Sequence, residues 1–162
     1  MRGRRDRRLE EIETLYRERF AYFVQVARAI VGDSERARDA VQDGFAAAIR
    51  GRESFRGDGP LEAWVWRMVV NAARKALRPP LVAAGADQFE IAELPPRLLE
   101  TSPLVARLPE RQRLVVFLRY YAGLDYRSIA AALEIEVGTV SAALATAHAS
   151  IRKALDEVHA NG

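Results

Sequence analysis

The sequence contains no cysteine. That excludes disulfides, thiolate zinc sites and cysteine nucleophiles, and it suits a reducing compartment. Lysine is nearly absent, since Lys75 and Lys153 are the only two among 25 basic residues. No apolar run approaches the roughly 20 residues of a membrane helix. The start MRGRRDRRLEE is basic but lacks the uncharged apolar core of a secretory signal. A cytoplasmic protein without a membrane segment is therefore expected. The two histidines, His148 and His159, have no acidic neighbour at metal-ligand spacing, so both are read as solvated and no metal is expected. No glycine-rich phosphate loop and no nucleophile–base constellation occurs, and the GDG of residues 57–59 is too short for a nucleotide fingerprint. Neither a cofactor nor catalysis is expected.

What is present supports packed cores. The chain has 162 residues, 49% of them hydrophobic, enough for one ordinary domain or two small ones. The net charge of +3 is unevenly spread: residues 1–78 carry 17 basic against 12 acidic groups, residues 79–103 one against four, and residues 104–162 seven against six. The preference for arginine suits phosphate forks and stacking on bases. A GC-rich coding bias would produce the same preference.

Hydrophobic periodicity gives helices throughout. Residues 6–31 place Leu9, Ile12, Tyr16, Phe20, Phe23, Ala27 and Ile30 on one face, with Gly32 as the stop. The arginines before it, Arg2, Arg4, Arg5, Arg7 and Arg8, read as a solvated, frayed end; contact with DNA phosphates by counterion release is the alternative. Residues 34–50 follow a cap at Asp33 or Ser34 and turn Ala37, Val41, Phe45, Ala48 and Ile49 inward. Gly57, Gly59 and Pro60 break the chain into an elbow. Residues 60–78 put Leu61, Trp64, Met68 and Ala72 on an apolar stripe, with Val65, Val69 and Leu77 beside it. Trp66, Arg67, Asn71, Arg74 and Arg78 then crowd the wet side, a mixture of ring, amide and guanidinium suited to handling nucleic acid.

Residues 79–103 are acidic and hold Pro79, Pro80, Pro95, Pro96 and Pro103, so they read as a proline-rich linker. A second helical unit follows over 104–162. Pro109 and Glu110 open a helix that Gly123 ends. Asp125 is placed to cap a short helix with Ile129, Ala130 and Leu133 inward. A turn at EIEV leads to a longer helix with Val140, Leu144, Ala147, Ile151 and Leu155 on one stripe. Short helix, tight turn and longer helix is the helix-turn-helix pattern. The fold class expected is all-α, with a three-helix N-terminal domain at 1–78 and a helix-turn-helix domain at 104–162.

Taken together, these segments resemble a bacterial sigma factor of the extracytoplasmic-function group, within the sigma-70 family. ARDAVQDGFAAAIR is similar to the segment that docks on the clamp helices of the largest RNA polymerase subunit. FRGDGPLEAWVWRMVVNAARKALR is similar to the region 2 segments that open and read the −10 promoter element. The stretch from LPERQRLVV to SIRKAL is similar to region 4, which reads the −35 element and contacts the flap of the second-largest subunit. The resemblance implies that Asp39, Gln42 and Asp43 face the polymerase. It implies that Phe55, Arg56, Gly57 and Asp58 receive a base flipped from the −10 duplex, and that Trp66, Arg67, Asn71, Arg74, Lys75 and Arg78 line the −10 DNA, while Trp64 belongs to the core. It implies −35 contacts by Arg127, Thr139, Ser141, Ala142, Ala145, Thr146 and His148. Core RNA polymerase, promoter DNA and an anti-sigma protein are the implied partners.

The chain departs from the family pattern in three places. Lys75 stands where an acidic residue is common, and Glu134 replaces a turn glycine. The face following GTV is rich in alanine where the family is rich in arginine, so the −35 grip is expected to be weak or to draw on Arg111, Arg113, Arg119 and Arg127. Two other readings remain at this level: a helix-turn-helix regulator acting without polymerase, and a sigma-fold decoy that has lost promoter reading.

Overall fold

The structure is a computed structural model and describes residues 2–77 and 103–162. Residues 78–102, which include Arg78 and most of the expected linker, lie outside the described residues. All regular structure described is helical: a short helical turn at 103–106 and the helices α1 (Arg2–Val31), α2 (Ser34–Gly51), α3 (Leu61–Ala76), α4 (Glu110–Val116), α5 (Tyr126–Leu133) and α6 (Val137–Ala160). A π-helical turn over Phe117–Tyr121 continues α4.

Helices α1, α2 and α3 pack against one another. The first helix runs from Arg2, four residues earlier than its apolar period indicated, so the basic arm is helical. Asp33 caps α2 by accepting from the Arg36 amide at 2.9 Å. At the centre, Phe23 of α1 stacks on Trp66 of α3 with ring centroids 3.8 Å apart, and Phe45 of α2 meets Phe23 edge-on at 4.9 Å. Such pairs contribute about 0.5–1.5 kcal/mol beyond the burial of their area. Gly44 lets α2 and α3 touch: a Cβ there would lie 2.6 Å from the Cα of Val69.

The buried face of α3 differs from the expected stripe. Ala63, Val65, Trp66, Val69, Val70 and Ala73 are buried, whereas Leu61, Trp64, Met68 and Ala72 are only half-buried. This is a rotation of roughly a third of a turn at about 100° per residue. Trp66, expected on DNA, is fully buried, and Trp64, expected in the core, sits at its edge. Apolar residues cover more than one face of this helix, so periodicity alone left its rotation open. The flat ring of Trp66 stacked on Phe23 decides it.

In the second unit, Leu114, Leu118, Ile129, Val140 and Leu144 are buried together. Asp125 caps α5, accepting from the Ser128 amide at 2.7 Å. Glu134 ends α5 in the left-handed conformation, φ 55° and ψ 45°. That region costs a residue with a Cβ about 1–2 kcal/mol. The two units touch: α3 lies on α5, and α1 lies on α4 and the π-turn. Tyr22 meets Tyr121 with centroids 4.8 Å apart, and Arg19 donates to the Ala122 carbonyl.

Candidate nucleic-acid interface

The elbow between α2 and α3 is the chemically richest place in the N-terminal unit. Ser54 folds back on Gly51, its amide and hydroxyl both donating to the Gly51 carbonyl at 2.8 and 2.7 Å. Gly57 takes φ +82°, which reverses the chain where a side chain would be strained. Phe55 is thereby held half-buried beside Trp64, with ring centroids 5.6 Å apart. On its other side the Arg8 guanidinium lies 5.5 Å from the ring centroid. Arg56 and Asp58 are exposed.

Two clefts meet at Phe55. One, of about 460 Å³, is lined by Phe55, Arg56, Asp58, Trp64, Arg67 and Met68, among others, and by Ala131 of α5. The other, of about 740 Å³, lies between the start of α1 and the elbow. Trp64 and Arg8 thus border these clefts, Trp64 against its expected place in the core and Arg8 in accord with the alternative reading of the basic arm rather than with a frayed end. Trp64 was assigned to the core by an apolar stripe that did not become the buried face. Arg8 lies 44 residues from Arg52, whose carbonyl it bonds, and no local pattern signals that distance.

Along α3, Arg67, Asn71 and Arg74 recur at helical spacing, with Asn71 and Lys75 exposed. Both arginines are engaged by the second unit. Arg67 Nε lies 2.9 Å from Glu134 Oε1, and Arg74 Nε lies 3.2 Å from Glu110 Oε1. The expected −10 row therefore faces two carboxylates. Glu134, in the left-handed conformation, is the α5 terminus residue that reaches Arg67.

Asp39, Gln42 and Asp43 are all exposed on α2, at the spacing that puts them on one side of a helix. Gln42 also borders an apolar cleft of about 430 Å³ that includes Tyr16, Phe45 and Ile49. In the second unit, Ser141, Ala142, Ala145, Thr146 and His148 are exposed on α6, Arg127 is exposed on α5, and Thr139 is half-buried. His148 is not merely solvated, since its Nε2 lies 2.8 Å from the Tyr120 hydroxyl. His159 Nδ1 lies 2.8 Å from the Leu155 carbonyl. Of the cations near this face, Arg113 donates to the Ala106 and Leu108 carbonyls and Arg119 to that of Leu124, whereas Arg111 is exposed. Asp125 has its carboxyl held below the usual carboxylate range, chiefly by the Ser128 amide it accepts from. Among the described residues no group of acidic and histidine side chains is arranged to hold a metal ion, and no single helix is long and apolar enough to cross a membrane.

A three-helix unit and a helix-turn-helix unit, with a basic aromatic elbow in the first, define a DNA-handling protein of two helical regions. Residues 15–79 match Sigma-70 region 2, and residues 103–149 match Sigma-70, region 4. The chain is 33% identical over 146 residues to the RNA polymerase sigma-H factor of Pseudomonas aeruginosa, covering 77% of this chain and 76% of that one. It is 34% identical over 134 residues to the ECF RNA polymerase sigma-E factor of Escherichia coli K12, covering 70% of each. Among solved structures it is similar to CnrH in complex with the cytosolic domain of CnrY, with a TM-score of 0.69, 25% identity and coverage of 92% of this chain and 90% of that one. The RpoE of Bartonella quintana in complex with the anti-sigma factor NepR shares the fold, with a TM-score of 0.69 at 19% identity over 91% of this chain and 98% of that one. The chain belongs to the extracytoplasmic-function group of the sigma-70 family. It is a sigma factor that directs promoter-specific initiation by RNA polymerase, and it is not an enzyme.

Proposed function

We propose that residues 1–78 dock on the clamp helices of core polymerase through Asp39, Gln42 and Asp43 and hold the opened −10 element at the elbow. The observation that carries this reading is Phe55 at the junction of two clefts, with Trp64 on one side and Arg56 beside it. A base drawn from the duplex stacks on an aromatic ring for about 1–3 kcal/mol, which offsets unstacking costs of a few kcal/mol. Arg56 and Asp58 border the same cleft and supply polar edges. Arg67, Asn71, Arg74 and Lys75 then follow the strand along α3. Trp66 drops out of this list because it is fully buried.

Residues 104–162 read the −35 element through α5 and α6 and meet the polymerase flap. With so few cations on the exposed start of α6, the grip falls on Arg111 and Arg127, on hydroxyls of Ser141 and Thr146, and on the positive end of the helix. His148 belongs to this face through its Tyr120 contact. Engagement of the −10 strand requires the second unit to leave α3, since Glu134 and Glu110 hold two of its cations and Ala131 borders the base cleft. A protein partner of the anti-sigma kind completes the reading, supported by the likeness to CnrH held with CnrY.

Run-off transcription with core polymerase on fragmented genomic DNA tests this division of labour. Discrete new transcripts with paired upstream elements support it. Binding to core without transcripts would support the decoy reading, and failure to bind core would remove the docking assignment.

A further inference from the structure

We infer that the cleft between the first turns of α1 and the elbow binds the sugar–phosphate backbone of single-stranded DNA, through Arg4, Arg8 and Arg52. The inference rests on the reading that the elbow receives a −10 base. The cleft measures about 740 Å³, within the size range of ligand sites, and its seven lining residues include four arginines and one glutamate. Arg56 is the fourth arginine, and it and Phe55 line the neighbouring base cleft as well. A strand with its base in one cleft therefore runs its phosphates into the other.

Arg8 is fixed for this task. Its Nη1 donates to the Arg52 carbonyl at 3.0 Å, and its guanidinium lies over Phe55. Because α1 is helical from Arg2, Arg4 and Arg8 are one turn apart on one side of the helix, where like charges repel. Arg4 also stands in the first turn of α1, where the helix dipole favours anions, and that turn has no acidic residue. The cleft thus sets four arginines against one carboxylate, and a phosphate there meets guanidinium forks and the helix terminus together.

The test uses the full chain assembled with core polymerase on a promoter fragment that is single-stranded across the −10 element. The probes are Arg4→Ala/Arg8→Ala, Arg4→Lys/Arg8→Lys, and a fragment with neutral methylphosphonate linkages beside the flipped base. Each phosphate contact to a single strand contributes about 0.7 to the slope of log affinity against log salt. The double alanine variant should lose about 1.4 of that slope, so its deficit should shrink about sevenfold between about 50 mM and 200 mM salt. The lysine pair should restore the slope, and the neutral linkages should reproduce the deficit with nothing further lost in the alanine variant. Should the pair disturb folding, exposed Arg4→Ala alone should lose about half that slope. An unchanged slope, or lysine failing to restore it, overturns the proposal. So does a deficit that persists on the neutral backbone, which assigns the arginines to holding the elbow rather than to contacting phosphates. If the wild-type holoenzyme binds opened and duplex fragments equally, the elbow reading itself fails and takes the cleft with it.

Discussion

Gly44→Ala sets helix propensity against packing. Gly44 lies inside α2, where alanine is favoured over glycine by about 1 kcal/mol. With open space around it, the substitution would stabilise the protein by that amount. The added Cβ would instead lie 2.6 Å from the Val69 Cα, 2.8 Å from its Cγ2 and 2.9 Å from its amide nitrogen. Carbon atoms rest at about 3.5–4.0 Å, so α2 and α3 must separate by about 1 Å. Two of the three obstructing atoms are backbone, which no rotamer change can move. Overpacking that shifts backbone costs about 1–3 kcal/mol. Set against the propensity gain, we expect a net loss of about 1 kcal/mol, and at most about 2 kcal/mol, in denaturant unfolding, with an unchanged m-value. Gly44→Ser should lose at least as much. A stabilised Gly44→Ala protein would refute the close approach and the α2–α3 geometry built on it.

Other perturbations separate structural from binding roles. Trp66→Ala should cost about 3–5 kcal/mol in unfolding free energy, because the ring is fully buried on Phe23; unchanged stability would return Trp66 to the DNA face. Asp43→Arg should leave thermal unfolding unchanged and weaken binding to core polymerase in titration, since Asp43 is exposed on α2. Asp125→Ala should destabilise the second unit by about 1 kcal/mol through loss of the α5 cap. Because the folded carboxyl titrates below its ordinary value of 3.8, the contribution of Asp125 is present above that value and fades as pH falls through the lower folded one; a wild-type/Asp125→Ala stability difference that grows with acid would contradict this. Glu134→Gly removes a left-handed penalty of about 1–2 kcal/mol but adds about 0.5–1 kcal/mol of chain entropy and breaks an exposed ion pair worth about 0–1 kcal/mol. Stability should therefore change by no more than about 1.5 kcal/mol, while the chain without polymerase should bind a single-stranded −10 oligonucleotide more tightly; weaker binding would argue against occlusion of Arg67.

The helices were legible wherever one face was plainly apolar and the ends were marked. Asp125 reads as a cap and Asp33 as one of two candidates beside Ser34, and both aspartates accept first-turn amides. The stripe of α6 also matched, since Val140, Leu144 and Ala147 are buried. Rotation failed on α3, where Trp64 and Trp66 both offered an apolar side and only the partner rings of α1 chose between them. The exposed placement of Asp39, Gln42 and Asp43 followed directly from the α2 period. Contacts between distant segments were not legible. Glu134 reaches Arg67, and Arg8 reaches Arg52, across separations that local patterns do not span. The departure of Glu134 from glycine was visible in sequence, but its carboxylate acquired a partner only once the two units met.

Both tryptophans lie on α3, two residues apart in sequence and in very different surroundings. Trp66 is sealed beneath Phe23, whereas Trp64 borders the cleft beside Phe55. The second unit has no indole at all. Tryptophan emission, excited at the red edge where tyrosine does not absorb, therefore watches the first unit alone, with Trp66 as a steady background and Trp64 as the emitter that a stacked base would quench. Helical circular dichroism registers both units. Comparing the two signals along one melting curve separates loosening of the promoter-facing elbow from unfolding of the helix-turn-helix, with no dye or label attached.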